Sequence, residues 1–268
     1  MKIAVCFSGQ LRSWRECSES LALFFDEIKN EPRFNGEVEI DFFVHTWDVE
    51  TLPPHVWHTP KVDPYRAMNH RIPVVEGEIA DMLTFLSPKK YVIDNLTVND
   101  TRLDFLNNES KKYGNEISVL GWTGPHLYGV MRSGQLKLDY EIENNFQYDV
   151  CMKLRFDMRI NTWDKRQIIE NITLPLKDKT IYSIHSYNLD KFPFDNIGDI
   201  FYMSDSDTYN ILSTFYNWLP ILNFNLFDWS LTVENIISYY IRMFRISNVR
   251  LPIDPEIVRL NYDIKKLI

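Results

Sequence analysis

The sharpest chemical signal in the chain is a run of alternating charge, Arg155-Phe156-Asp157-Met158-Arg159, directly after the apolar stretch DVCMKL at residues 149–154. A carboxylate placed there can hold a hard cation against a diphosphate, and the neighbouring arginines can neutralise a phosphate leaving group directly. A row of surface ion pairs reads the same way. A second signal is Ser8-Gly9-Gln10-Leu11-Arg12, which follows the apolar run KIAVCF at 2–7. A small hydroxyl, a glycine that permits close backbone approach and an arginine beside a helix start make a cradle for a nucleotide or its phosphates. One glycine is far from a phosphate-loop signature, so an ordinary strand-to-helix turn is the alternative. The third group, His45-Thr46-Trp47-Asp48, offers an indole that can stack on a base or sugar and a hydroxyl and carboxylate that can bond ribose. A buried Trp beside a satisfied His is the structural reading of the same residues.

All three groups sit where an apolar run ends, so the elements behind them matter. Residues 2–7 show no polar alternation, as expected of a strand buried on both faces. Ser13 and Glu16 form a capping-box pattern opening a helix that carries Leu21, Leu23, Phe24, Phe25 and Ile28. Residues 38–44 read as a second strand, 48–73 as a long loop rich in Pro and His, 76–86 as a helix broken by Pro88, and 90–94 as a short strand. After a polar stretch at 95–118, Gly124-Pro125 marks a helix start, and Val130, Gly134, Leu138, Ile142 and Phe146 recur every four residues. Residues 148–154 are a fourth strand, 180–184 and 200–203 are later ones, and the remainder reads as mainly helical. This alternation predicts an α/β fold with a mostly parallel central sheet flanked by helices, and ligands beyond the carboxyl ends of its strands.

A literal Asp-x-Asp occurs as Asp205-Ser206-Asp207. It precedes the apolar helix expected at 209–215, so an N-cap with acidic first-turn residues is the better reading than a metal pair.

Composition narrows the function classes. With 268 residues, 45% hydrophobic and 25% charged, one globular unit is expected. A net charge of −8 opposes broad attraction to nucleic acid or anionic lipid, although a small anionic ligand needs only a few local cations. Cys6, Cys17 and Cys151 lack paired spacing and read as buried free thiols of a reducing compartment. No apolar run approaches the ~20 residues of a membrane span, nor the length of a signal peptide, so a cytoplasmic protein without a transmembrane segment is expected.

The segments AVCFSGQLR (4–12), DFFVHTWD (41–48), LYGVMRSGQLKLDYEIENNFQYDVCMKLRFDMR (127–159) and GDIFYMSDSDTY (198–209), with Glu234 heading a C-terminal helix, together resemble a family of GT-A-like glycosyltransferases found in bacteria and in large viruses and phages. The resemblance implies one Rossmann-type GT-A-like domain over 1–268, with 1–122 mainly the nucleotide-binding half and 123–268 the metal and acceptor half. It also implies sugar transfer from a nucleotide-sugar donor, a UDP-sugar foremost, to a glycan, lipid-linked or protein acceptor, in the host cytoplasm if the chain is viral. Ser8, Gly9, Gln10 and Arg12 would line the nucleotide pocket, His45 and Thr46 would lie near base or ribose, and Arg132 would face the diphosphate.

Asp157 would occupy the position of the acidic metal-binding motif, with Mn²⁺ or Mg²⁺ as its cation. Arg159 stands where a stricter motif has its second carboxylate. His185, with phosphate oxygens and water, would complete the cation shell, or Arg155 and Arg159 would replace part of its charge. Asp199 and Glu234 would contact acceptor or donor sugar or serve as the base. Two other readings stay open: a non-catalytic carbohydrate-binding or interaction module on the same fold, and a nucleotidyltransferase, which would carry a more glycine-rich, basic first loop. A Rossmann oxidoreductase lacks its glycine fingerprint.

Overall fold

The computed structural model describes residues 1–51, 71–95, 124–185, 197–219 and 233–258. The first apolar run forms β1 (Lys2–Ser8). Successive side chains of a strand point to opposite faces, so Ile3, Val5 and Phe7 enter one hydrophobic cluster while Ala4 and Cys6 enter another. One strand thereby serves two cores, which is why its sequence lacks polar alternation.

Helix α1 (Trp14–Lys29) buries Cys17, Leu21, Phe24, Phe25 and Ile28, an i, i+4, i+7, i+8, i+11 stripe that packs in the cluster shared with Phe7. The capping box expected at its start does not form. Ser13 makes no side-chain cap, because its hydroxyl donates to the carbonyl of Val258 and ties the helix start to the far end of the described chain.

Strand β2 (Glu39–Trp47) runs through the His45-Thr46-Trp47 group. The segment expected as a loop from 48 to 73 begins and ends with two short antiparallel strands, β3 (Val49–Thr51) and β4 (Arg71–Pro73); residues 52–70 lie outside the described residues. Helix α2 (Glu78–Leu86) and strand β5 (Lys90–Asp94) follow as expected. The polar stretch at 96–123 is outside the description. Next come helix α3 (Gly124–Asn144), strand β6 (Val150–Leu154), the short β7 (Met158–Arg159) and helix α4 (Thr162–Glu170).

Strands β8 (Thr180–His185) and β9 (Ile197–Ser204) precede helix α5 (Ser206–Ser213). Asp205 caps α5, accepting from the Thr208 backbone N–H at 2.9 Å, so the literal Asp-x-Asp is a helix start. The chain beyond is less helical than its sequence suggests. After α6 (Phe215–Trp218) and α7 (Val233–Met243), two strands appear, β10 (Ser247–Arg250) and β11 (Glu256–Ile257). Both are short and partly exposed edge strands, so neither carries the apolar run that would announce it.

The main sheet has seven strands in the order β10-β8-β9-β6-β1-β2-β5. Strand β9 runs antiparallel to both neighbours, β6 and β8, while the other pairings are parallel. The molecule is therefore α/β with a mostly parallel, mixed central sheet, α1 on one face and α3, α5 and α7 on the other. Strands from both expected halves of the chain join this one sheet. Among the described residues no helix is long and apolar enough to cross a membrane.

Candidate active site

The charged run at 155–159 turns between β6 and β7. Phe156 turns inward, is 2% exposed, and stacks on Phe7 with ring centroids 5.1 Å apart. Its neighbours Arg155 and Asp157 share another direction and meet in a bidentate pair: Nε donates to Oδ1 at 2.8 Å and Nη2 to Oδ2 at 2.7 Å. Such a fork is the strongest arginine–carboxylate geometry. Arg12 reaches the same carboxylate from the turn after β1, with Nη1 3.4 Å from Oδ2. That turn is shaped by Gly9 at φ 127° and Arg12 at φ 47°, left-handed backbone that glycine adopts without strain. The turn after β1 and the exit of β6 are thus one site.

Sequence reasoning passed over two basic side chains, Lys153 and His126, that complete this cluster. Lys153 lies inside the apolar strand β6, fully buried, and its Nζ donates to the backbone carbonyls of Asp199 and Ile200. Burial pushes its pKa down to about 7 despite the nearby Asp199 carboxylate. His126, in the first turn of α3, places Nδ1 3.7 Å from Asp199 Oδ2. Burial, with Lys153 nearby, drives it to about 3, so its imidazole is neutral. Asp199 also has Arg155 Nη1 at 3.6 Å. Burial raises the Asp199 pKa, but the basic side chains around it, Arg155 and Lys153 among them, outweigh it and lower the pKa on balance. Glu234, in the first turn of α7, adds negative potential at both Lys153 and Arg155. Asp157, Asp199 and Glu234, widely separated in sequence, therefore surround the same two cations.

A second group lies alongside, at the ends of β2 and β5. Asp94 accepts from the Tyr128 hydroxyl at 2.9 Å, with Arg132 Nε at 3.6 Å and His45 Nε2 at 3.3 Å. Burial lowers the His45 pKa even against the Asp94 charge, which leaves a neutral imidazole. Helix α3 links the two groups, since His126 belongs to the first and Tyr128 and Arg132 to the second. It can lie this close because residue 129 is glycine: a Cβ there would stand 3.0 Å from His45 Nδ1 and 3.4 Å from Ser8 Cβ.

Several residues expected to contact the ligand also brace the site. His45 and Thr46 are completely buried and Ser8 is 1% exposed. Thr46 donates its hydroxyl to the Gly9 carbonyl at 2.9 Å and so braces the turn, while His45 stands behind Asp94. Gln10 accepts from Arg12 Nε at 3.1 Å. The indole of Trp47 is packed against His45 and Tyr128, so the structural reading of that residue holds and stacking on a base does not. The partly exposed polar groups are Asp94, Tyr128 and Arg132. Asp94 was missed because a lone acid at the end of a short strand carries no local signal.

Arg159 is not brought to the cluster. Strand β7 pairs with β11, and the Arg159 guanidinium is taken by Glu256 at 3.0 Å, with a longer contact to the Glu16 carbonyl. In this arrangement its charge is directed to Glu256 rather than to Asp157. The metal expectation meets a similar obstacle: Asp157 is 1% exposed and both its oxygens already accept from guanidinium groups. A divalent cation would have to displace Arg155 and sit beside Arg12 and Lys153, against like-charge repulsion. Among the described residues no set of three His, Cys, Asp or Glu side chains is placed to hold a metal. The side chain of His185 lies outside the description. These residues do not fit an Mn²⁺ or Mg²⁺ site.

No protein-family model matches the chain, and no curated protein matches it. Among solved structures it is similar to a glycosyltransferase involved in the glycosylation of the major capsid of PBCV-1, at 10% identity and a TM-score of 0.41, covering 93% of this chain and 82% of that one. It is also similar to the apo form of mouse xyloside xylosyltransferase 1, at 8% identity and a TM-score of 0.40, covering 94% and 85%.

Proposed function

We propose that the protein is a glycosyltransferase that takes its sugar from a nucleotide-sugar donor, with UDP-sugars the first to try. The observation that carries this reading is the contact of Arg12 and Arg155 with one carboxylate, Asp157, which brings the turn after β1 and the exit of β6 to a single anion-ready place. Asp94, Tyr128 and Arg132 suit the polar edges of a nucleoside, and the Gly9 to Arg12 turn suits the diphosphate beside them. Asp199 lies 3.6 Å from Arg155 Nη1 and Glu234 acts on the same guanidinium electrostatically, which suits recognition of the transferred sugar or deprotonation of an acceptor hydroxyl.

The test is a turnover panel of nucleotide sugars against glycan, lipid-linked and protein acceptors, scored for the released nucleotide. Release of a nucleoside diphosphate that falls at least ~100-fold in Asp199→Asn or Glu234→Gln is expected. Release of pyrophosphate instead would identify a nucleotidyltransferase, and silence with every donor would leave a binding module on this fold.

A further inference from the structure

We infer that the diphosphate at this site is held, and its leaving charge neutralised, by the guanidinium groups of Arg12 and Arg155 under the orientation of Asp157, with no divalent cation. The inference rests on the nucleotide-sugar reading above and names the electrophilic part of that site.

Three observations carry it. The carboxylate expected to bind metal is spent on orientation: the Asp157 fork fixes the guanidinium plane of Arg155, and the same carboxylate draws Arg12 across from another element. Both arginines are nevertheless partly open, with side chains 17% and 12% exposed. Finally, the turn that carries Arg12 runs into α1, a helix of 16 residues whose Ser13 makes no side-chain cap, and the buried Ser8 hydroxyl beside that turn has no hydrogen-bond partner among the described residues. A helix start, the Ser8 hydroxyl and two preorganised guanidiniums together supply oriented donors for phosphate oxygens, the role a metal would otherwise fill.

The step balances without a co-reactant. The bond between the anomeric carbon and the β-phosphate oxygen breaks, and its electron pair stays on that oxygen, facing the arginines. The acceptor oxygen forms the new bond to the anomeric carbon, and its proton passes to a carboxylate, for which Asp199 and Glu234 are placed. Asp157 is a positioning residue here, since it acts through the arginines.

The experiment measures equilibrium binding of UDP, GDP, ADP and CDP, and turnover of their sugar conjugates, in EDTA and in Mn²⁺, with Mn²⁺ binding followed separately by electron paramagnetic resonance. One diphosphate is expected to bind equally, within about twofold, in both buffers. Arg12→Met and Arg155→Met should each weaken it about tenfold or more in EDTA, Arg155→Lys by less, and Asp157→Asn should weaken it without changing Mn²⁺ binding. Arg12 makes the longer of the two contacts with Asp157, 3.4 Å against 2.7 Å, so its variant tests the idea even if Arg155→Met does not fold. Diphosphate binding or turnover that needs Mn²⁺ overturns the inference and leaves the transferase standing. Cation-independent binding without turnover of any conjugate does the reverse. No binding in either buffer removes both.

Discussion

Arg155 grips Asp157 two residues further along the chain, with Nε and Nη2 of the guanidinium set on the two carboxylate oxygens at 2.8 and 2.7 Å. The intervening Phe156 is buried between them, its ring stacked on Phe7. Burial opposes the charge on Arg155, but Asp157 and Asp199 outweigh it and raise its pKa further.

Removing either partner should therefore cost more than an ordinary surface ion pair. Asp157 is almost fully buried, so Arg155→Met leaves a desolvated carboxylate with the longer Arg12 contact, and a loss of about 3 kcal/mol in urea unfolding is expected. The double variant Arg155→Met with Asp157→Leu should recover most of that loss while still binding a nucleoside diphosphate about tenfold or more weakly than wild type. Equal destabilisation of the single and double variants would count against the buried pair.

Lys153 makes stability depend on pH in a direction opposite to the usual lysine. Its folded pKa is about 7 because burial disfavours the ammonium, against an ordinary 10.5. Between those values the unfolded chain binds a proton that the folded chain has released, so unfolding free energy rises with pH across the window. Below about 7 both states are protonated, and the penalty for the buried charge is fully present. Chemical denaturation of wild type and Lys153→Met at about pH 6 and about pH 9.5 should show the variant relatively better at the lower pH. A difference that does not move with pH would place the Lys153 amine at its ordinary value.

Gly129→Ala separates helix stability from site geometry. Alanine is the better helix former by about 1 kcal/mol, but the new Cβ would press within 3.0 Å of His45 Nδ1. The expected result is a melting temperature close to wild type with several-fold weaker UDP binding, read by calorimetry. Unchanged binding would mean that His45 and the Asp94 it supports can yield.

Gly134→Ala tests packing away from the site. A Cβ there would stand 2.3 Å from Ser213 Cβ, where α3 crosses α5, and overpacking of this kind costs about 1–3 kcal/mol. Ser213→Gly in the same chain should relieve it, giving a favourable coupling in a double-mutant cycle. Additive losses would show that the two helices do not meet as described.

Much of this was readable from local pattern. Residues 2–7 and 149–154 are predominantly apolar without regular polar alternation, as a strand buried on both faces reads; the helix over 124–144 shows its period, and Asp205 announces its cap. The strand-exit rule then pointed to Ser8 to Arg12, His45, Arg155 and Asp157, because exits are where such sheets leave polar groups uncovered. What those residues do was less legible. Lys153 looks like an interruption in a strand and His126 like a helix residue, and each acquires a partner only when β9 runs antiparallel beside β6 and delivers Asp199.

The sequence by itself determined the layered α/β order and which turns face the carboxyl edge of the sheet, since hydrophobic period and chain order are local properties. Only the tertiary structure decided that Arg159 belongs to Glu256, 97 residues away, and that Arg12 belongs to Asp157, 145 residues away. Strand pairing and charge pairing are settled between segments far apart in the chain. Side chains two residues apart, such as Asp157 and Arg159, are therefore free to find different partners.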